Sequence, residues 1–278
     1  MANMENKIYP SIKNSILLCL LIIGIQIGFG ILISVFKIIF NLPDFSLVMG
    51  VLTALTSIIS FGIALLVGFR KTKRSFNEVF KFNKVSAFLW ISIVVFMTGF
   101  AIVMSETDNL LNYILPMPEI FRNLFETLIF NQVFIIAIIT IGIIPAFTEE
   151  LFFRGLILDG LKNNYSKRKA ILISAFLFGI IHLNPWQFYG GFIIGLVSAW
   201  ICIETNSILL SIYIHFFNNV LYALSVRYSE LIPIKNFNSN FATPGVFQPL
   251  WFDLTGLVIL IIGTVMLIKG IKKAKDVG

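Results

Sequence analysis

Long apolar runs separated by short polar segments make up most of this 278-residue chain. A helix needs about 20 mainly apolar residues to cross a bilayer, and only helices or closed barrels satisfy the backbone there. The runs have helical length, and the pattern predicts spans at about 15–36, 47–69, 85–104, 133–158, 170–183, 188–203, 208–226 and 250–268. The chain is therefore predicted to be an all-α polytopic membrane helix bundle of about eight transmembrane helices.

Composition supports a membrane protein. Hydrophobic residues make up 58% of the chain, the mean hydropathy is +0.92 and only 13% of residues are charged, whereas soluble domains carry about 25% charged residues. No linker-like or convincingly repeated segment interrupts the pattern, so residues 1–278 are predicted to form a single membrane domain. The net charge of +7 resides in short segments between apolar runs, which favours the lipid bilayer as partner and argues against nucleic acid.

The basic residues predict the orientation. With a cytoplasmic N-terminus, sixteen of the 21 Lys and Arg residues fall on the cytoplasmic side, as the positive-inside rule requires. Both termini are therefore predicted to be cytoplasmic. The richness in Phe, Ile, Lys and Asn is typical of an AT-rich bacterial genome, so we expect a multi-pass protein of a bacterial plasma membrane.

Two segments are predicted not to span. Residues 105–132 are amphipathic, with apolar positions at helical spacing, and are expected on the outer interface. These apolar positions are Ile120, Phe121, Leu124, Leu128 and Ile129. Residues 227–249 contain three prolines and several asparagines, which predicts an irregular external loop.

A few polar side chains interrupt the later spans, and each is a candidate functional residue because ionisable groups are costly within lipid. In chain order they are Glu149, Glu150, Arg154, His182, His215 and Asn219. The set includes both histidines of the protein. Glu150 and Arg154 are four residues apart, so they are predicted to pair. Glu149 lies about 100° away around the helix and is left to face a cavity, although a purely structural charge cluster is the alternative.

Two further pairs have helical i, i+4 spacing. Phe178 would shape a wall beside His182, although an interfacial histidine before the Asn184-Pro185 turn is the alternative. His215 and Asn219 would offer adjacent hydrogen-bond donors, although hydrogen bonding between helices would also explain them. Peptide hydrolysis needs a water, a base that deprotonates it and donors for the oxyanion. The combined set supplies these groups, and no serine or cysteine is marked as a nucleophile.

Three motifs carry a resemblance to a known family. Residues 149–154 read EExxxR, residues 178–182 read FxxxH and residues 215–219 read HxxxN. In this order they resemble the CPBP (CAAX protease and bacteriocin-processing) family of intramembrane proteases, also called Abi, which includes the type II CAAX prenyl endopeptidases. The resemblance covers residues 133–226, which we take as the catalytic core.

The resemblance implies an eight-helix bundle with a cavity and assigns roles to the motif residues. Glu149 and His182 would activate water, His215 and Asn219 would stabilise the oxyanion, and Glu150, Arg154 and Phe178 would support them. The family is described both as metalloproteases and as metal-free glutamate proteases. The cofactor therefore stays open between none and a zinc ion on Glu149, His182 and His215.

Three functions follow from these residues. The first is an endopeptidase that cleaves a peptide or a membrane-anchored protein. The second is a non-catalytic bacteriocin-immunity or scaffold protein with the same fold. The third is a proton-coupled transporter, since buried Glu, His and Arg also form proton relays. Transporters tend to have matching broken helices in two halves, whereas the polar groups here lie in the second half only.

Overall fold

A computed structural model describes residues 8–41, 47–123, 134–237 and 245–277. The predictions that concern Leu124, Leu128 and Ile129 lie outside these ranges, as does the middle of the predicted external loop, residues 238–244. The described residues form helices, turns and extended connections without a β-strand. The predicted all-α class is confirmed.

Besides helical residues at 119–123 and a short 3₁₀ helix at Ser229–Leu231, nine helices are present in the described ranges. They are α1 (Ile12–Phe40), α2 (Leu47–Thr72), α3 (Phe76–Val79), α4 (Ala87–Ile114), α5 (Phe134–Asn164), α6 (Lys167–Ile180), α7 (Pro185–Thr205), α8 (Leu209–Arg227) and α9 (Leu250–Val277). All except α3 and α6 are long and apolar enough to cross a membrane, which gives seven candidate spans among the described residues. The protein is a multi-pass membrane protein, and its orientation stays a prediction.

Two of the predicted spans differ from the structure. The fifth, at 170–183, corresponds to α6, whose 14 residues extend about 21 Å, less than a hydrocarbon core of about 30 Å. Helix α6 is therefore not among the seven candidate spans, and its crossing stays a prediction. The third continues to Ile114, so residues 105–114 belong to α4 and not to an interfacial segment. Within this part of α4, buried Asn109 donates to the Glu106 carboxylate at 2.9 Å.

The described chain divides into two compact units. The first unit comprises residues up to 83 together with 143–212, and the second comprises 84–142 together with the residues from 213 onward. Helices α5 and α8 each continue from one unit into the other. The motif residues up to His182 lie in the first unit, whereas His215 and Asn219 lie in the second.

Glycines hold α4 against α9 in the second unit. Gly256, Gly263 and Gly270 recur every seven residues, the spacing of one seam in a left-handed pair of helices. A Cβ on Gly263 would lie 2.4 Å from the Phe96 Cα, and one on Gly256 would lie 2.4 Å from Ile102 Cγ2. The missing side chains therefore allow close backbone packing, as small residues do between membrane helices.

Helix α5 changes its winding twice. Two π-helical stretches, Ile138–Ile143 and Leu151–Ile157, flank the α-helical stretch Ile144–Glu150. Such π-helical turns are rare and occur frequently at functional sites. Glu149 and Glu150 end the central α-helical stretch, so the motif begins where the helix changes its geometry.

Candidate functional site

The ion pair predicted between Glu150 and Arg154 is present in the first unit. Arg154 Nε lies 3.1 Å from Glu150 Oε2, and neither side chain is exposed. The one-turn separation along α5 brings the two charges together, and the pairing offsets part of the cost of their burial. The negative charge of Glu150 is thus paired with the positive charge of Arg154 on the same helix.

The Arg154 guanidinium is held by α6 and α7 as well. Its Nη2 donates to the Gly195 carbonyl on α7 at 3.2 Å, and its Cζ lies 4.4 Å from the centroid of the Phe178 ring on α6. The Phe178 ring also meets Phe153 edge to face, with centroids 5.2 Å apart. The arginine of EExxxR and the phenylalanine of FxxxH therefore form one packed cluster, with a cation–π contact between them.

Small residues place the Gly195 carbonyl within reach of Arg154. A Cβ on Gly195 would lie 3.1 Å from the Ala175 Cα, and one on Gly191 would lie 3.3 Å from the Gly179 Cα. Ala175 and Gly179 on α6, like Gly191 and Gly195 on α7, are four residues apart, which is the small-xxx-small pattern of tightly packed membrane helices. Larger side chains at these positions would push α7 away from the arginine.

His182 lies in the turn that follows α6, and its ring orientation is fixed by Phe178. The ring Nδ1 lies 3.0 Å from the Phe178 carbonyl oxygen. A carbonyl only accepts, so Nδ1 donates in this contact and Nε2 is the ring nitrogen left for another partner. Phe178 thus contributes its ring to Arg154 and its carbonyl to His182, which accounts physically for the FxxxH spacing.

The backbone conformation of Leu183 and the hydrogen bonds of Asn184 stabilise the turn that contains His182. Leu183 adopts a left-handed conformation with φ +57°, which ends α6. Asn184 donates through Nδ2 to the His182 carbonyl at 3.0 Å, and its Oδ1 accepts from the Gln187 backbone N–H at 2.8 Å, which caps α7. The half-buried His182 is therefore held by backbone contacts on both sides.

Glu149 and Glu150 share one feature and differ in another. The Oε2 atom of each is buried and makes no hydrogen bond of regular geometry among the residues that the structure describes, but Oε2 of Glu150 lies in the ion pair with Arg154. Buried polar atoms in native proteins nearly always have a partner, whether from protein or water. A buried carboxylate oxygen without one marks a place where a water or a substrate group would bind.

In the second unit, Asn219 is tied to α5. Its Nδ2 donates to the Ile141 carbonyl at 2.9 Å, and its Oδ1 accepts from Asn218 Nδ2 at 3.2 Å. Ile141 lies in the π-helical stretch Ile138–Ile143, and Pro145, the residue from which its carbonyl would accept in a regular α-helix, has no N–H. Asn219 supplies a donor in its place, so it has a structural role whatever its chemistry. His215 is 5% exposed on the same helix.

This explanation predicts the behaviour of a double variant. Asn219→Ala should lower the free energy of unfolding by about 1 kcal/mol because the Ile141 carbonyl loses its donor. In a Pro145→Ala background, where an N–H is restored, the same substitution should cost less. A double-mutant cycle in thermal unfolding of the purified protein measures the difference, and equal costs in both backgrounds would contradict the explanation.

The structure brings together only some of the predicted site residues. Glu150, Arg154, Phe178 and His182 form a continuous set of contacts in the first unit, with Glu149 beside Glu150 on α5. Whether His215 and Asn219 act with them stays a prediction. Within either unit, the described ranges contain no group of three or more His, Cys, Asp or Glu side chains suited to hold a metal ion. The zinc ligand set is therefore also still a prediction.

Sequence reasoning missed two contributors to this cluster. The Gly195 carbonyl carries no side-chain signal, although the small-xxx-small pattern at Gly191 and Gly195 predicts a close helix contact. Asn184 was interpreted only as part of a turn, although asparagine followed by proline is a frequent start of a helix. The contact of Asn184 with the His182 carbonyl follows from that cap.

The apolar helices and their buried ionisable groups define an all-α polytopic membrane protein. Residues 131–221 match the family model described as type II CAAX prenyl endopeptidase Rce1-like, and the resemblance carried by the three motifs is thereby confirmed. The matched segment contains all three motifs. Comparisons with curated proteins and with solved structures found no match.

Proposed function

We propose that the chain is an intramembrane endopeptidase that hydrolyses a peptide bond of a membrane-associated peptide or protein with a water activated by Glu149 and His182. The match of residues 131–221 to a prenyl endopeptidase family supports a peptidase. The assignment of Glu149 and His182 as the groups that activate water is based on the contacts within the first unit.

The observation that carries the proposal is the buried Oε2 of Glu149, for which the described part of the chain offers no hydrogen-bond partner. A carboxylate oxygen with no protein donor can accept a hydrogen bond from water and take its proton. Glu150 is unsuited to this task because Arg154 holds its carboxylate at 3.1 Å. Two neighbouring carboxylates thus have different tasks, one as base and one as partner of the arginine.

His182, in its neutral form, contributes a lone pair at Nε2 because its Nδ1 donates to the Phe178 carbonyl. In the proposed reaction, water adds to the scissile carbonyl while Glu149 takes a proton, and the C–N bond then breaks as the leaving amine receives a proton. An imidazole that orients the water and relays a proton suits both steps. Hydrolysis consumes one water and requires no redox partner.

His215 and Asn219 are proposed as donors to the oxyanion. Asn219 gives one Nδ2 hydrogen to Ile141, and its amide nitrogen carries a second. A carboxamide already fixed by another hydrogen bond is preorganised, as effective oxyanion donors are. Glu149, His182 and His215 are also donor types that zinc accepts, and a zinc ion there would polarise the carbonyl and its water. Metal analysis of the active protein, before and after chelation, decides between the two forms.

The test is a cleavage assay with the full chain in proteoliposomes and a library of membrane-anchored peptides, read by mass spectrometry. Wild type is expected to generate new peptide termini, whereas Glu149→Ala and His182→Ala should generate none while inserting and expressing normally. Glu78→Gln, at an exposed position of α3, is the control with the same charge loss and should cleave as wild type does. Equal products from wild type and both site variants would overturn the proposal.

A non-catalytic scaffold is the second candidate, and the engagement of Asn219 favours it. That side chain bonds the Ile141 carbonyl, so part of the HxxxN motif already has a structural use. A scaffold predicts that Glu149→Ala and His182→Ala retain the cellular phenotype of wild type. The peptidase predicts that both variants lose it.

A further inference from the structure

Helix α2, a candidate membrane span, ends at Thr72 in a strongly basic part of the chain. Residues 70–82, which we call the basic segment, comprise the last residues of α2, the short helix α3 and the residues around it. They contain five basic residues and one acidic residue, Glu78. The basic residues are Arg70, Lys71, Lys73, Arg74 and Lys81. Charges this close to a span lie at the level of the lipid headgroups, because their burial in hydrocarbon is costly.

Three of these cations are exposed. Arg74 is engaged within the first unit, since it pairs with the Asp159 carboxylate on α5 and its Nη2 donates to the Glu78 carbonyl at 2.9 Å. The Glu78 carboxylate caps α3, where it accepts from the Ser75 backbone N–H at 2.7 Å. The exposed cations are Arg70, Lys71 and Lys73. With a single acidic residue in the basic segment, its positive charge is in excess.

Two aromatic rings of the basic segment are exposed as well. Phe76 is 51% exposed and Phe82 is 41% exposed, and their rings stack with centroids 6.0 Å apart and planes 6° apart. Phe80, which lies between them in sequence, is buried. Exposed large apolar groups rimmed by polar residues mark surfaces that contact a membrane or another protein. Directly after a membrane span, the bilayer itself is the nearest partner of this kind.

The basic segment is fixed against α5, the helix that carries EExxxR. A Cβ on Gly155 would lie 2.4 Å from Phe80 Cδ1, so the missing side chain makes room for the buried ring. About one helical turn further along α5, Asp159 pairs with Arg74. Two anchors on one helix thus hold the segment in place. A surface that is already ordered loses little conformational freedom when it binds.

We propose that the basic segment binds the headgroups of anionic lipids. Arg70, Lys71 and Lys73 contact the lipid phosphates, and the rings of Phe76 and Phe82 lie at the boundary between headgroups and acyl chains. Basic clusters beside a membrane helix are attracted to anionic bilayers, and aromatic rings are enriched at the interface. The inference does not rest on the proposed peptidase function, because it concerns only how this surface contacts lipid.

Hydrogen–deuterium exchange of the reconstituted full chain measures this contact. The protein is placed in nanodiscs of phosphatidylcholine, with or without phosphatidylglycerol, at constant ionic strength. Backbone amides of residues 73–82 exchange through local opening. Each Lys or Arg near an anionic surface contributes about fivefold in affinity. Loss of two such contacts on opening therefore predicts exchange that is slower by roughly an order of magnitude when phosphatidylglycerol is present.

The position of the effect and its salt dependence are part of the same test. The slowing should be confined to the basic segment and the residues that it contacts, and high salt should remove most of it because exposed charges are screened. Equal exchange of residues 73–82 in the two bilayers would overturn the proposal. Slowing of the same size throughout the chain would also overturn it, because it would reflect general stabilisation.

Matched charge variants locate the contact. Arg70→Gln/Lys73→Gln should lose most of the slowing. Lys272→Gln/Lys273→Gln, which removes the same charge from exposed positions of α9, should retain it. If the first double variant fails to fold, Lys73→Gln alone should reduce the slowing about fivefold, whereas Lys73→Arg should keep it. Equal slowing in the two double variants, or in the two Lys73 variants, would contradict the proposed surface.

Discussion

Glu149→Gln is expected to lower the rate of peptide hydrolysis by about 10²- to 10⁴-fold, the usual contribution of a general base. It is also expected to leave the protein as stable as wild type or more stable. The reason is that Oε2 of Glu149 is buried without a hydrogen bond from the residues that the structure describes, and a neutral amide costs less to bury than a carboxylate. A gain or retention of stability together with a loss of activity is typical of residues that serve function.

Glu150→Gln is the control for this prediction, because it is the adjacent residue and undergoes the same chemical change. It removes the negative charge that pairs with Arg154 at 3.1 Å, so its melting temperature should fall. The two substitutions should therefore move stability in opposite directions. If Glu149→Gln destabilises the protein as much as Glu150→Gln does, both carboxylates belong to a structural charge cluster and Glu149 is not the base.

Arg154→Met is expected to lower the free energy of unfolding by about 3–5 kcal/mol, the cost of leaving one partner of a buried ion pair uncompensated. Glu150 would remain fully buried without its cation. The substitution also removes the donor to the Gly195 carbonyl and the cation over the Phe178 ring. Thermal unfolding in detergent and the amount of protein in the membrane both measure the loss.

The double variant Glu150→Leu/Arg154→Met separates the charge from the packing. Replacing both members of a buried pair with apolar residues is often neutral or stabilising, so most of the loss should be recovered. Peptide hydrolysis should stay impaired, since the contacts that hold Phe178 and Gly195 are gone. A double variant as unstable as Arg154→Met would show that these contacts, and not the unpaired charge, dominate.

Much of the fold follows from the hydropathy pattern because lipid permits few alternatives. The ion pair of Glu150 with Arg154 could also be predicted, since residues four apart meet on any helix. The shortness of α6 could not be predicted, because hydropathy does not distinguish a lipid-facing run from a shorter helix packed against its neighbours. The glycines that seat α6 on α7 indicate such packing.

Other features of the site depend on tertiary contacts that one sequence does not specify. The Gly195 carbonyl reaches Arg154 only because α6 and α7 are in near backbone contact. The sequence indicates that the Ile141 carbonyl needs a donor from elsewhere, because Pro145 has no N–H. That Asn219 is this donor is seen only in the structure.

The most direct test is single-turnover cleavage of a membrane-anchored peptide by the reconstituted protein in H₂¹⁸O, with and without hydroxylamine. Attack by water activated at Glu149 predicts one ¹⁸O atom in the new carboxyl group and no hydroxamate product. Glu149→Gln should give neither product. A hydroxamate formed by the wild-type protein would reveal an acyl-enzyme and contradict direct attack by water, as would undiminished cleavage by Glu149→Gln.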